Sequence, residues 1–392
     1  METINSFQIW YVFFVQLTPV WISLFITFSA LFFWRKHLGV LGHLCNSTIG
    51  LVGLFIVLFW VFGAFFADMI ALFEPFEQSG KYRRKPPGTI NTSVGIPYIF
   101  GTDTLGRDLF SRMFYGSQTV LLIAPAACVV AYVVGITLGL PSGYFGGRTD
   151  TILSFLANLV LAFPVILLFY LLVAPGVRET ILPNVMAGVF FLFPIVFALM
   201  VVYSRYSERI NVLAPSVIFI LIIGTWLYSG LVFNADPLGL VAIDPNELNI
   251  FAAVVFASSP GVFRLVRGLT MDIKTRDYVA AAMTRGEGPF FIMIWEILPN
   301  ARGPLIVDSC LRVGYVTILL GTLGFFGLGM EPESPDWGSM INQTRSYIRL
   351  VPTIVLPATL ALASFVLGLN LLADGLRAVS YTHLTLPTIC SV

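Results

Sequence analysis

Few residues in this chain have the types and spacing that chemistry requires. The four Cys residues (Cys45, Cys128, Cys310 and Cys390) are scattered, with no metal-ligand spacing and no disulfide framework. The three His residues (His37, His43 and His383) lack partners at ligand spacing. None of the four Lys residues (Lys36, Lys81, Lys85 and Lys274) lies in G-x4-G-K-[ST], so the chain has no phosphate loop. Asp308 and Arg312 do form a pattern: four residues apart in an apolar helical run, they share a face. Charge inside such a run is expensive and turns toward the bundle interior or water. The pair reads either as a structural ion pair or as part of a transport pathway, and its place near a span end favours the structural role. No metal site, no catalytic residue and no bound cofactor is expected. The other stretch with a distinct character is DYVAAAMTRGEGPFFIMIWEILPN, residues 277–300, polar and Gly-broken between apolar runs.

The elements that hold these residues must be membrane helices. The 392-residue chain is 57% hydrophobic and 11% charged, with a mean hydropathy of +0.88. A soluble domain carries about 25% charge, so this chain is short of polar cover. The class is all-α polytopic membrane protein. A net charge of +1 offers no basic face for nucleic acid. Spanning hydrocarbon takes about 20 apolar residues. Runs near 9–34, 49–67, 113–140, 152–174, 181–204, 210–235, 248–263, 313–330 and 350–373 give nine expected spans. The run at 248–263 is short, and the one at 313–330 begins earlier, near Gly303, so it contains Asp308 and Arg312. The N-terminus lacks a basic n-region and is expected to stay as a span.

Lys and Arg set orientation. Arg35-Lys36, Arg148, Arg205 with Arg209, and Arg264, Arg267, Lys274, Arg276, Arg285 and Arg302 alternate with the spans. Their loops are expected on the cytoplasmic side, with the N-terminus outside and the C-terminus inside. KYRRK at 81–85 breaks the rule, on the expected outer side, within the long polar stretch 74–112. PPGTINTSVGIP at 86–97, NADPLG at 234–239 and MEPESPDWG at 330–338 read as turns rather than regular elements. Thr102-Asp103 reads as a helix cap, Asp68 and Glu74 as interfacial, and Asp374 with Arg377 as an anchor for the last helix. Gly321, Gly324, Gly327 and Gly329 would allow close helix approach. SYTHLTLPTICSV is unlike what precedes it, and residues 379–392 read as a read-through scar.

Thr275 or Asp272 could cap a helix through DYVAAAMTR. Gly286, Gly288 and Pro289 then break it, and a second run, FFIMIWEIL, is expected to stop at Pro299. Ala280, Ala281 and Ala282 leave a shallow surface that another backbone can approach closely. The plain alternative is an interfacial helix pair tying two spans together.

The spacing resembles E-A-A-x3-G-x9-I-x-L-P, the signature of permease subunits of bacterial ABC importers. Ala281, Ala282, Gly286, Leu298 and Pro299 match it in register. Ala280 stands where the family has Glu, and Glu296 where many members have Ile. FGTDTLGRDLFSRMFYGSQ at 100–118, GLPSGYFGGRTDTILSFLANLVLAFP at 139–164, LGFFGLGMEPESPDWGSMI at 323–341 and NLLADGLR at 370–377 also resemble, in order, blocks of the second permease of the dipeptide/oligopeptide/nickel family.

The resemblance implies a type I ABC importer transmembrane domain. It implies a short coupling helix around Tyr278–Arg285 that inserts into an ATPase groove, with Gly288 and Pro289 in the same loop. It also implies a second permease subunit, two ATP-binding subunits or domains that use ATP and Mg, an extracytoplasmic solute-binding protein, surrounding membrane lipid and an inner-membrane location. Peptides are the leading substrate class; nickel, oligosaccharides and opines fit the same family. That family usually has six spans, which leaves one extra N-terminal span and two inserted ones at about 178–250. The inserted pair reads as lipid-facing packing or as a docking face. The expected layout is 1–44 extra span and link, 45–112 first core span and outer loop, 113–378 permease domain with the coupling loop at 270–300, and 379–392 tail. A secondary transporter or channel working without ATP is the rival; it predicts internal repeats of broken helices, and no convincing repeat is present.

Overall fold

The computed structural model describes residues 3–164, 167, 171, 175–178, 180–236, 239, 245–328 and 333–385. Its α-helices of eight residues or more are α1 (Ser6–Gln16), α2 (Thr18–Phe33), α3 (Thr48–Phe65), α4 (Leu109–Phe145), α5 (Gly147–Ala162), α6 (Leu182–Tyr206), α7 (Ile210–Phe233), α8 (Pro245–Ile273), α9 (Asp277–Thr284), α10 (Leu298–Phe325), α11 (Trp337–Thr344) and α12 (Leu356–Thr385). Among the described residues, seven helices are long and apolar enough to cross a membrane, and α1 with α2, bent by 56°, make an eighth if taken as one span. The expected crossing at 152–174 is carried by α5 to Ala162, and residues 165, 166, 168–170 and 172–174 lie outside the described residues. The chain forms two compact units, residues 1–124 with 307–392, and residues 125–306.

In the first unit α3 and α12 pack backbone to backbone. A Cβ on Gly53 would come within 2.8 Å of Gly368 O, and one on Gly50 within 3.1 Å of Gly375 Cα. Small residues serve here as they do in membrane helix pairs generally, because close approach multiplies dispersion contacts where lipid gives no hydrophobic drive. Trp60, Phe114, Trp337 and Phe365 fill the space next to this seam, and the Trp337 indole donates to Met113 O at 2.9 Å.

The polar stretch of this unit is ordered around buried charge. Asp103 does not cap a helix. Its Oδ1 accepts from the backbone N–H of Leu105 and Arg107, and its Oδ2 takes Arg107 Nε at 2.6 Å. Asp108 is the cap of α4, accepting the Ser111 N–H at 2.8 Å. Arg107 and Arg112 are wholly buried; Arg107 donates to Gln343 Oε1 at 2.7 Å, and Arg112 to Pro75 O at 3.0 Å and Ser334 O at 3.1 Å. PPGTINTSVGIP holds more than turns: Thr89–Asn91 (β1) pairs antiparallel with Ile96–Tyr98 (β2) through a turn at Gly95, whose φ is +75°. Gly321 and Gly324 do meet neighbouring elements closely, against Leu362 and Asp336. Gly327 instead ends α10: at φ +76°, its N–H goes to Gly324 O and that of Leu328 to Leu323 O, so its role is backbone conformation. Gly329 lies outside the described residues. Asp374 and Arg377 stand 3.6 Å apart with exposed side chains, a screened pair that anchors little.

In the second unit α4, α6 and α8 run in the same direction. Gly135, Gly139 and Gly143 of α4 meet Val262, Val266 and Thr270 of α8 in turn. Phe191 stacks on Phe251 and Phe190 meets Phe256 edge to face, pairing the early halves of α6 and α8. Helix α7 returns the chain between α6 and α8. The apolar run at 248–263 proved to be only the middle of α8, a 29-residue helix that reaches Ile273. It continues because Arg267 and Arg264 find partners along it: Arg267 pairs with Asp150 of α5, and Arg264 donates to Asn158 at 2.7 Å. Arg267 holds the Asp150 carboxyl well below the usual carboxylate range.

Burial pushes the Asp108 carboxyl up from 3.8 to about 6. The folded chain then holds this proton more tightly than the unfolded chain does. The contribution is fully present below about pH 4 and is lost as pH rises toward 6, roughly 3 kcal/mol across the window. Asp108→Asn keeps an acceptor for Ser111 and cannot ionise. Thermal melting in detergent from pH 4 to 7 should show a smaller loss of Tm with rising pH in the variant than in the wild type; parallel curves would contradict this.

Candidate functional site

The stretch 277–300 sits at the end of the second unit where α4 and α8 finish. Lys274, just past α8, donates its ammonium to Gly143 O at 2.8 Å and Tyr144 O at 3.3 Å. A cation on the last carbonyls of α4 satisfies orphan acceptors and opposes the helix dipole. The chain then turns into α9. Its N-cap is Arg276, with no side-chain cap. Thr275 instead donates its hydroxyl to Asp272 O at 2.8 Å, and Asp272 pairs with Arg276 at 2.9 Å, so neither expected cap is used.

Helix α9 is held by two inward residues one turn apart. Val279 and Ala282 are fully buried, packed with Ile273, Ile292, Met293 and Ile297. Ala280 and Ala281 are exposed, Tyr278 is 36% exposed and Met283 47%. The expected three-alanine surface is therefore split: Ala280 and Ala281 face out, while Ala282 belongs to the core. Gly286 closes the helix at φ +84°. Its N–H goes to Met283 O at 3.0 Å and that of Glu287 to Ala282 O at 3.2 Å, the paired bonds of a Schellman turn. A Cβ on Gly286 would meet nothing within 4 Å, so the glycine is required by backbone conformation and not by space. Gly288, Pro289 and Gly286 are all exposed.

The second arm does not stop at Pro299. Residues Ile292–Ile297 wind as a π-helix and run directly into α10, so that Pro289–Phe325 forms one apolar span. A proline removes the i→i−4 donor and crowds the carbonyl four residues back. The widened π turn just ahead eases that crowding, and the Asn300 side chain donates to Glu296 O at 2.7 Å in support. Glu296, at a position of the signature where Ile is common, is tied to Arg285 at 3.0 Å across the turn. Leu298 is half-buried and Pro299 exposed. Farther along α10, Arg312 Nε meets Asp308 Oδ2 at 2.6 Å, both side chains mostly buried, so the expected pair forms. Among the described residues no group of His, Cys, Asp or Glu could hold a metal ion.

The site is thus a short helix seated by Val279 and Ala282 on the ends of longer ones, with Tyr278, Ala280 and Ala281 exposed. Residues 202–384 match the family described as binding-protein-dependent transport system inner membrane component. The di/tripeptide transport system permease protein of Pseudomonas aeruginosa is 29% identical over 325 residues, 83% of this chain and 85% of that protein. The dipeptide transport system permease protein of Haemophilus influenzae is 28% identical over 328 residues, 83% of this chain and 88% of the relative. The glutathione transport system permease protein of Pectobacterium atrosepticum is 28% identical over 345 residues, 88% of each chain. Residues 202–384 thus carry the inner-membrane component of a binding-protein-dependent transport system, with its type I transmembrane domain, and over most of its length the chain is similar to multi-pass permease subunits of peptide transport systems.

Gly286→Ala should destabilise the α9 turn by about 1 kcal/mol, because only glycine holds this φ without strain, and Gly286→Asn should cost less. Amide exchange of residues 277–287 in detergent reads this directly. Equal protection in wild type and Gly286→Ala would contradict it.

Proposed function

We propose that the chain forms half of the translocation pathway of an ATP-driven importer of short peptides, with α9 as its coupling helix. The observation that carries the mechanism is the division of α9: Val279 and Ala282 are locked into the core while Tyr278, Ala280 and Ala281 stand free. A helix so fixed moves with α8 and α10 as one body. Closure of two ATP-binding subunits against it would swing those helices between inward-open and outward-open arrangements. The chain carries no phosphate loop, so ATP and Mg are used by the partners. The full assembly in this reading adds a second permease subunit and an extracytoplasmic solute-binding protein. Residues 270–300 and the C-terminus face the cytoplasm, and the N-terminus lies outside. Residues 113–378 make up the permease domain, with α6 and α7 as its inserted spans.

The substrate class follows the named relatives, permeases for dipeptides, di/tripeptides and glutathione, all short peptides. Asp308 and Arg312 satisfy each other and serve as a structural pair, so Asp308→Asn should leave transport intact.

Two measurements test this reading. The ATP-binding subunit should co-purify with the wild-type chain and be lost with Gly286→Trp, whose ring would wedge the loop from its groove. Cells lacking other peptide permeases should regain uptake of labelled dialanine when the whole system is supplied. Co-purification unchanged by Gly286→Trp would refute α9 as the contact, and uptake of radiolabelled nickel in place of dialanine would refute the substrate class.

A further inference from the structure

We infer that Tyr203, Ser204 and Arg205, at the end of the inserted helix α6, are positioning residues that set the arm joining α9 to α10, acting through Phe290 and Trp295. The inference rests on the reading of α9 as the coupling helix and assigns the inserted spans a part in it.

Three contacts carry it. The Trp295 indole N–H donates to Ser204 Oγ at 3.1 Å. That hydroxyl donates in turn to Val201 O at 2.7 Å, so its rotor is fixed and its lone pair is aimed at the indole. The Arg205 guanidinium lies over the Trp295 ring, 5.2 Å from its centroid. Tyr203 meets Phe290 edge to face at 5.8 Å. Both gripped aromatics belong to the second arm of the loop, and Trp295 sits in its π-helical turn. In that turn Ile292, Met293, Ile294 and Ile297 are buried, whereas Trp295 is 40% exposed. Single π turns recur at functional sites because the extra residue re-aims one side chain; here it turns Trp295 out of the core and onto α6.

These contacts are not needed to hold the inserted pair in place. Phe190, Phe191 and Ala187 of α6 already pack on Phe256, Phe251 and Ala252 of α8. The grip is also local. A cleft of about 660 Å³ lined by Tyr203–Arg209 and Gly286–Phe291 separates the rest of the loop from the end of α6. The turn at Gly286 is thus left open to a partner while the following arm is held. A displacement of α9 reaches α10 through that arm, so its angle governs how much of the displacement arrives.

The test uses the complete transporter, with its ATP-binding subunits, in proteoliposomes, and reads dialanine taken up per ATP hydrolysed. Trp295→Ala and Arg205→Ala should retain the ATP-binding subunit, while uptake per ATP falls about fivefold, the lower end of ordinary coupling between sites. Arg205→Lys keeps the cation over the ring and should restore the wild-type ratio. The double variant should be no worse than Trp295→Ala alone, since both changes remove one contact. Arg205 is exposed, so Arg205→Ala keeps the test open if Trp295→Ala fails to fold. An unchanged ratio in folded Arg205→Ala, or no rescue by Lys, overturns the positioning role and leaves the coupling reading intact. A wild-type chain that binds no ATP-binding subunit overturns both.

Discussion

The structure around the candidate site depends on the burial of Val279 and Ala282, which seats a helix of eight residues on the ends of much longer ones. A helix that short is marginal by itself, because nucleation costs more than two turns return. It exists here because its inward residues join the core built by α4, α8 and the π turn before α10. The Schellman turn at Gly286 and the Lys274 ammonium on the carbonyls of Gly143 and Tyr144 close its two sides. With both sides closed, α9 is tied to the membrane helices on which it sits, as the proposed coupling role requires.

A different economy governs the polar stretch before α4. Two fully buried arginines and the carboxylates of Asp103, Asp108 and Asp336 knit it together. Buried charges are tolerated only when paired and hydrogen-bonded. Arg107 meets this through Asp103 and Gln343, and Arg112 through backbone carbonyls. Asp336 caps α11 through the Ser339 N–H at 2.9 Å, and burial pushes its carboxyl up. In this way a segment too polar for lipid acquires a fixed shape beside a membrane bundle.

What could be read from the sequence divides along physical lines. Gly286, the short helix before it, and the Asp308–Arg312 pair were legible because each is set by local spacing: a left-handed residue after a helix, or two charges one turn apart. The fold class was legible from apolar composition. The full reach of α8 was not, because Arg264 and Arg267 read as loop charge until Asn158 and Asp150 are seen beside them. The continuation through Pro299 was hidden, since a π turn leaves no mark in composition. The inward turn of Ala282 needed the tertiary core, as alanine suits either face. Asp103 and Gly327 were assigned to the right regions but to the wrong duties, a cap and a close approach, where the chain needed an ion-paired turn and a helix stop. The grip of Tyr203, Ser204 and Arg205 on the loop joins residues about 90 apart, beyond any local signal.

The central claim is that the exposed face of α9, and not its buried face, meets the ATP-binding subunit. Single cysteines at Ala281 and Ala282, each in a chain whose native cysteines are replaced by serine, allow a direct comparison in membranes containing the partner subunits. A short thiol-reactive crosslinker should join Ala281→Cys to the ATP-binding subunit and leave Ala282→Cys unlinked. Equal linkage at both positions, or none at Ala281→Cys in a transporter that still imports, would contradict the account.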